Sequence, residues 1–280
     1  IGVSALYSNT ASVTTGVGFQ ALKSNTTGTE NTAVGQRSLR SNTTGAQNTA
    51  VGGATLQNNT TASYNTAVGN NALYSNTTGE NNTALGASTL QGNTTANNNT
   101  AVGFQALYVN TTATNNTAVG YIEMYNNTTG TQNVAVGDQA LEANTTADGN
   151  VAVGYKALEA NTIGTFNVAI GYLTLDACVD GSKNNAVGAF ALTNYDPASA
   201  EDSHNNAFGY NALGANTTGK YNTAVGGNCL DSNTTADDNT ALGHNALTAN
   251  TTGAQNTCLL YTSDAADEGL GVDLGGRRII

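Results

Sequence analysis

Glu142, Glu159 and Asp176 follow one another at one fixed interval along the chain. If that interval is one turn of a stacked structure, their carboxylates stand about 5 Å apart in a single column. Like charges in such register are tolerated where water surrounds them or a divalent cation bridges them. The chain lacks the glycine- and aspartate-rich calcium nonapeptide, so the expected state is a solvated acidic face without metal. Asp176 and Asp180 near Tyr172 come nearest to the carboxylate pair and aromatic cleft that sugar hydrolysis needs. Cys178 and Cys229 lie three intervals apart and at different places in the period, too far for the ~7 Å that a disulfide spans. His204 and His244 have no cysteine or carboxylate at ligand spacing. No nucleophile–base–orienter set or phosphate-cradling loop can be assembled. The expectation is therefore no enzyme, no cofactor and no metal. Recognition is a different matter. Phe104 and Tyr121, Tyr108 and Tyr125, and Tyr155 and Tyr172 are each separated by the same interval. Two readings are open: Phe104, Tyr108, Tyr121 and Tyr125 gather into one exposed aromatic patch, with Tyr155 and Tyr172 further along, or these side chains cover a solenoid face or a subunit seam. Tyrosine offers area and a polar tip for a glycan or a host-surface protein.

The composition narrows the setting for these residues. The 280 residues include 19 Asp+Glu against 8 Lys+Arg, a net charge of −11, and only 10 % are charged. A typical soluble domain has about 25 %. Without a basic run, nucleic acid is not an expected partner. No apolar run is long enough to span a bilayer as a helix, and no signal-peptide pattern is present. The chain opens at Ile1 in mid-repeat, so a fragment of a longer protein is expected.

The unit is N-T-A-V-G-x-x-A-L-x-x-N-T-T-G-x-x, whose positions are numbered 1 to 17. Full units open at Thr14, Asn31, Asn48, Asn65, Asn82, Asn99, Asn116, Asn133, Asn150, Asn167, Asn184, Asn205, Asn222 and Asn239, which makes 14 coils. So short a unit cannot hold the two helices of a helical repeat, and Asn, Thr and Gly are poor helix formers. The expected fold is all-β, a parallel β-solenoid of one coil per unit and roughly 65 to 70 Å long. Thr-Ala-Val is one short strand, a second is expected around Ala-Leu, and Asn-Thr-Thr-Gly is the return turn. Position 5 (Gly35, Gly52, Gly69) is a corner that needs positive φ or close approach. Position 9 (Leu39, Leu56, Leu73) fills the core. Position 1 (Asn31, Asn48, Asn65) is expected to form an amide ladder along the axis. Position 12 (Asn25, Asn42, Asn59) forms a second ladder or an Asx turn. Only coil 11, from Asn184 to His204, is longer than the rest, and Asn194–His204 is expected to leave it as a surface loop. The Asn-Thr-Thr pattern also matches the N-glycosylation acceptor, but its place at a fixed turn reads as turn chemistry.

Alternation puts positions 2 and 4 on one face of the strand and position 3 on the other. Both faces are small or apolar, so both should be covered, and one thin solenoid covers only one. The other is expected to meet further copies of the chain, the alternative being a capping segment from a longer chain.

N-T-A-V-G-x-x-A-L resembles the S-V-A-I-G-x-x-A motif of trimeric autotransporter adhesin heads (Hep/Hag-type repeats), over about residues 1–257. The resemblance implies a parallel β-roll of three chains on a bacterial surface, mediating cell or host attachment. The unit is also similar to repeats of tail-fibre proteins that carry a C-terminal intramolecular chaperone, which implies a virion fibre. Its coil is longer than that of adhesin heads, and the Asn-Thr-Thr-Gly return and position-9 Leu are not their usual pattern. A third reading is an ice-binding array of position-2 threonines, although this column turns to Val134, Val151 and Val168 and then to Asn185 and Asn206. Two regions are expected: the solenoid, 1–257, and a segment 258–280 that resembles a translated sequencing adapter and contributes no function.

Overall fold

The computed structural model describes residues 2–197, 199 and 201–260. Fifteen strands, from β1 (Thr15–Val17) to β15 (Thr257–Leu259), form a single parallel sheet in sequence order. Among the described residues there is no helix. Each strand pairs with the next at the same position of the unit, as Thr32↔Thr49, Ala33↔Ala50 and Val34↔Val51 illustrate. The chain is a β-solenoid of about 14 turns with a 17-residue period.

One coil contains one strand. The expected second strand around Ala-Leu is absent; that stretch is a series of turns. The reason lies in the backbone. Positions 7, 9 and 17 are left-handed in nearly every coil, for example Arg37 (φ 58), Leu39 (φ 47) and Gln47 (φ 57). Alternating hands curl the chain too tightly for an extended segment. A leucine in this region carries strain of roughly 1 kcal/mol. Its burial offsets that, because Leu22, Leu39, Leu56 and Leu73 are fully buried and a leucine removed from water gains about 2 kcal/mol.

Position 3 points inward. Ala33, Ala50, Ala67 and Ala84 are fully buried and pack with the leucine column. Small size is required there because sheet and leucine column face each other across one thin core. Position 5 turns the corner with φ between 128° and 144°. A side chain on Gly69 would collide with the Gly86 carbonyl of the next coil.

Both asparagine columns are ladders. Asn42 Nδ2 donates to Asn25 Oδ1 at 2.7 Å and to its own turn at the Gly45 carbonyl at 2.9 Å. Position 12 is therefore ladder and Asx-type turn together. The position-1 column joins coils through the backbone: Asn48 N–H donates to Asn31 Oδ1 at 3.0 Å and Asn65 N–H to Asn48 Oδ1 at 3.0 Å. Asn25, Asn42 and Asn59 are fully buried, so these acceptor asparagines of the Asn-Thr-Thr pattern are closed off in the folded chain.

Two parts of the chain depart from the simplest reading. In coil 11 the segment Asn194–His204 is not all surface loop. Tyr195 and Ser203 are fully buried and Pro197 is buried as well, because Tyr195 occupies position 12 and fills the ladder column. At the C-terminal side, β15 carries parallel pairing through Leu259, and Leu260 N–H donates to the Leu242 carbonyl at 2.8 Å. Thus Cys258, Leu259 and Leu260 sit in the fifteenth coil; the rest of segment 258–280 lies outside the described residues.

Candidate functional site

The acidic column does not converge on one point. Each carboxylate has its own neutral or cationic partner. Gln139 Nε2 donates to Glu142 at 2.7 Å, Lys156 Nζ pairs with Glu159 at 2.8 Å, and Thr193 Oγ1 donates to Asp176 at 2.6 Å. Asp176 is half-buried; burial raises its pKa against the opposing Thr193 bond. The Glu159 bond holds the Lys156 ammonium above its ordinary value. Among the described residues no cluster of three or more His, Cys, Asp or Glu is arranged to hold a metal ion. Asp176 is committed to Thr193 rather than to a reactive pair with Asp180.

The cysteines are free. Cys178 is buried, and desolvation pushes its thiol up to about 12; Cys229 is buried with a thiol at about 11. Such thiols stay protonated and are poor nucleophiles. His204 stacks on Tyr221 at 5.8 Å, and both His204 and His244 are exposed. Around the coil-11 insertion, Lys183 pairs with Asp202 and Lys220 with Glu201, each at 2.5 Å.

The aromatic residues form separate pairs instead of one patch. Phe104 stacks on Tyr121 at 5.6 Å, at position 6, where these two strands run on to pair Phe104 with Tyr121, and both are exposed. Tyr108 stacks on Tyr125 at 4.9 Å with planes 1° apart, at position 10, and both are half-buried. The sharp turn at positions 7 to 9 separates the two columns. Tyr155 and Tyr172 form a third pair at 5.2 Å, which Phe190 and Tyr210 extend edge-on at 5.5 and 5.8 Å. Phe190 stands at position 7 and is not legible in the sequence as a member of this row; the structure brings it between Tyr172 and Tyr210. A shallow recess of about 220 Å³ opens beside Tyr108, lined also by Ser75, Gln91 and Val109.

The outward face of the sheet is continuous through all fifteen strands. Positions 2 and 4 from Thr15 to Leu259 carry only Thr, Val, Leu, Ile, Phe and Asn. No charge interrupts either column in fifteen strands. Val34, Val51, Val68 and Leu85 remain 36–38 % exposed.

One ionisable group escapes a reading of the repeat alone. Glu123 stands at position 8, where the other coils carry Ala, Ser, Thr or Cys. Its side chain is fully buried, with neither oxygen hydrogen-bonded. The signal for it is its being the one charge in that column.

The chain matches no protein-family model, and no curated protein is significantly similar to it. Among the described residues no helix is long and apolar enough to cross a membrane.

Proposed function

We propose that this chain is a non-enzymatic rod that assembles with copies of itself through the outward sheet face, as a trimer, and serves as an attachment module of a bacterial surface adhesin or of a virion tail fibre. The observation that carries the reading is the uncharged, half-exposed face of positions 2 and 4 along all fifteen strands. A sheet face left in water ordinarily carries polar residues, and a contiguous apolar one marks an interaction surface. Fifteen strands about 4.8 Å apart and three residues wide present on the order of 700 Å², close to the ~800 Å² per partner of a standard interface. The exposed aromatic pairs Phe104–Tyr121 and Tyr155–Tyr172 are the surfaces suited to a glycan or host-surface protein. The proposed location is the cell exterior or the virion. The test is light scattering of the intact chain beside Val51→Lys and Val68→Lys. A trimer that the lysines dissociate supports the reading. A monomeric parent chain at micromolar concentration overturns it.

A second reading has its own observation. Thr15, Thr32, Thr49, Thr66, Thr83, Thr100 and Thr117 stand at position 2 of seven successive strands on that same outward face. Such a regular hydroxyl array suits ordered water, and thermal hysteresis of a monomeric chain is the result that would favour ice binding over self-assembly.

A further inference from the structure

Position 8 is a slot that offers acceptors. Wherever it holds a polar side chain other than Glu123, that side chain donates to a carbonyl of the next coil. Thr55 donates to Gly69 O at 2.6 Å, Thr89 to Gly103 O at 2.5 Å, Thr174 to Gly188 O at 2.8 Å and Ser38 to Ala50 O at 2.9 Å. Cys229 follows the pattern with Ala241 O at 3.3 Å. The corresponding corner carbonyl for Glu123 is that of Gly137. A β-carbon placed on Gly120 would touch Glu123 Oε1 and lie 2.9 Å from Gly137 O, so the two oxygens share one small space. Four nearby amides are engaged: Ile122 N–H donates to Phe104 O, Met124 N–H to Ala140 O, Gly137 N–H to Val119 O and Gln139 N–H to Tyr121 O, at 2.9–3.1 Å, while the Glu123 and Tyr121 amides lie near the carboxyl without completing a hydrogen bond to it. A buried carboxylate needs donors, and a buried carboxylic acid needs an acceptor. This slot supplies the acceptor and no completed donor bond.

We propose that coil 7 is a proton-gated segment of the rod: Glu123 is held as the neutral acid facing the Gly137 carbonyl, and its ionisation loosens this coil and the two aromatic pairs it carries. Tyr121 and Tyr125 flank Glu123 in the same coil and are the coil-7 halves of both pairs. Ile122 beside it is a β-branched residue at φ 61, a strained conformation that depends on surrounding packing.

The charged group facing Glu123 is Asp138 of the next coil. The preceding coil presents Phe104-Gln105-Ala106-Leu107, which has no ionisable group. Burial raises the Glu123 carboxyl from 4.5 to about 7, opposed by the Glu123 and Tyr121 backbone amides and reinforced by Asp138. The unfolded chain loses this proton near 4.5, whereas the folded chain keeps it to about 7. The contribution to stability is thus full below the lower value, falls as pH rises between the two, and is level above the upper one.

The test uses the full chain with ¹³C-labelled glutamate carboxyls, assigned with Glu123→Gln. The Glu123 signal is expected to titrate near neutrality, well separated from the other glutamates. Thermal midpoints from pH 5 to 9 form the second readout. The parent loses on the order of 100-fold in folding equilibrium across the window, and its tyrosine near-ultraviolet circular dichroism weakens with it. Glu123→Ala, which restores the commonest residue of the column, removes that component. A Glu123 carboxyl titrating near 4.5, or parallel profiles for the parent and Glu123→Ala, overturns the proposal.

Discussion

Asn31 and Asn42 donate to a single acceptor: their side-chain amides reach the Gly45 carbonyl at 2.7 and 2.9 Å. Asn65 and Asn76 do the same at Gly79, at 2.8 and 2.9 Å. Each of these turns is closed by two amides on one oxygen, and the Asn42 and Asn76 amides are also tied to the coil before. The turn is thereby pinned without charge and with almost no space.

Asn76→Ala removes the bonds to Asn59 Oδ1 and Gly79 O and strips Asn93 Nδ2 of its ladder acceptor. Buried polar groups left without partners cost about 1–3 kcal/mol each. The expected loss is about 2 kcal/mol, chiefly from Asn59 Oδ1, because Gly79 O keeps Asn65 and Asn93 Nδ2 keeps Ala96 O, read from denaturant unfolding. Asn76→Asp is expected to be no better, because it keeps the shape and loses both donors.

Gly69→Ala is expected to disrupt the coil, because φ is 133° and the added methyl meets the Gly86 carbonyl. Backbone cannot swing aside as a side chain can. Gly53→Ala is the control: its new methyl meets only the end of the Asn70 side chain, at 2.9 Å. Unfolding midpoints should separate the two by about 2 kcal/mol or more.

Cys178 is expected to resist alkylation in the folded chain and to react readily once unfolded. Its thiol is fully buried and pushed up to about 12. Cys178→Ala should cost little beyond its lost packing, since the Sγ contact to the Gly181 carbonyl is 3.7 Å long. Rapid labelling of Cys178 at pH 8 in native conditions would contradict the buried placement.

Calcium is expected to leave the thermal midpoint unchanged, because Glu142, Glu159 and Asp176 each hold a separate partner. Lys156→Ala should alter stability by no more than about 1 kcal/mol, as ion pairs near the surface do, this pair being half-buried. A calcium-dependent rise in midpoint would show that the column gathers around the ion.

The period, the strand at Thr-Ala-Val, the corner glycine and both asparagine ladders are legible in the sequence, because a residue that recurs once per coil reveals what every coil requires. Recurrence does not reveal hand. Leu39 reads as a core filler, which it is, but nothing in a leucine signals φ 47, so turns and a second strand look alike at Ala-Leu. Single departures are harder to read. Tyr195 reads as loop because its neighbours are polar, yet it fills the ladder column, and Asn161 Oδ1 is left without a donor where Cys178 replaces the next asparagine. Among the candidate contacts, the ring pairs follow from the spacing of the repeat. Their separation into columns does not, since it depends on the curl of positions 7 to 9.

The parallel register has a mechanical consequence. The ladder bonds run along the axis of the rod, and each coil leans only on its neighbours. Tension between the two ends therefore loads one coil at a time, as a zip is loaded at its slider. A single molecule pulled in this way should lengthen in equal steps, each releasing one unit of the repeat, about 55 Å of extended chain. Coil 11, which runs from Asn184 to His204, should give the one longer step.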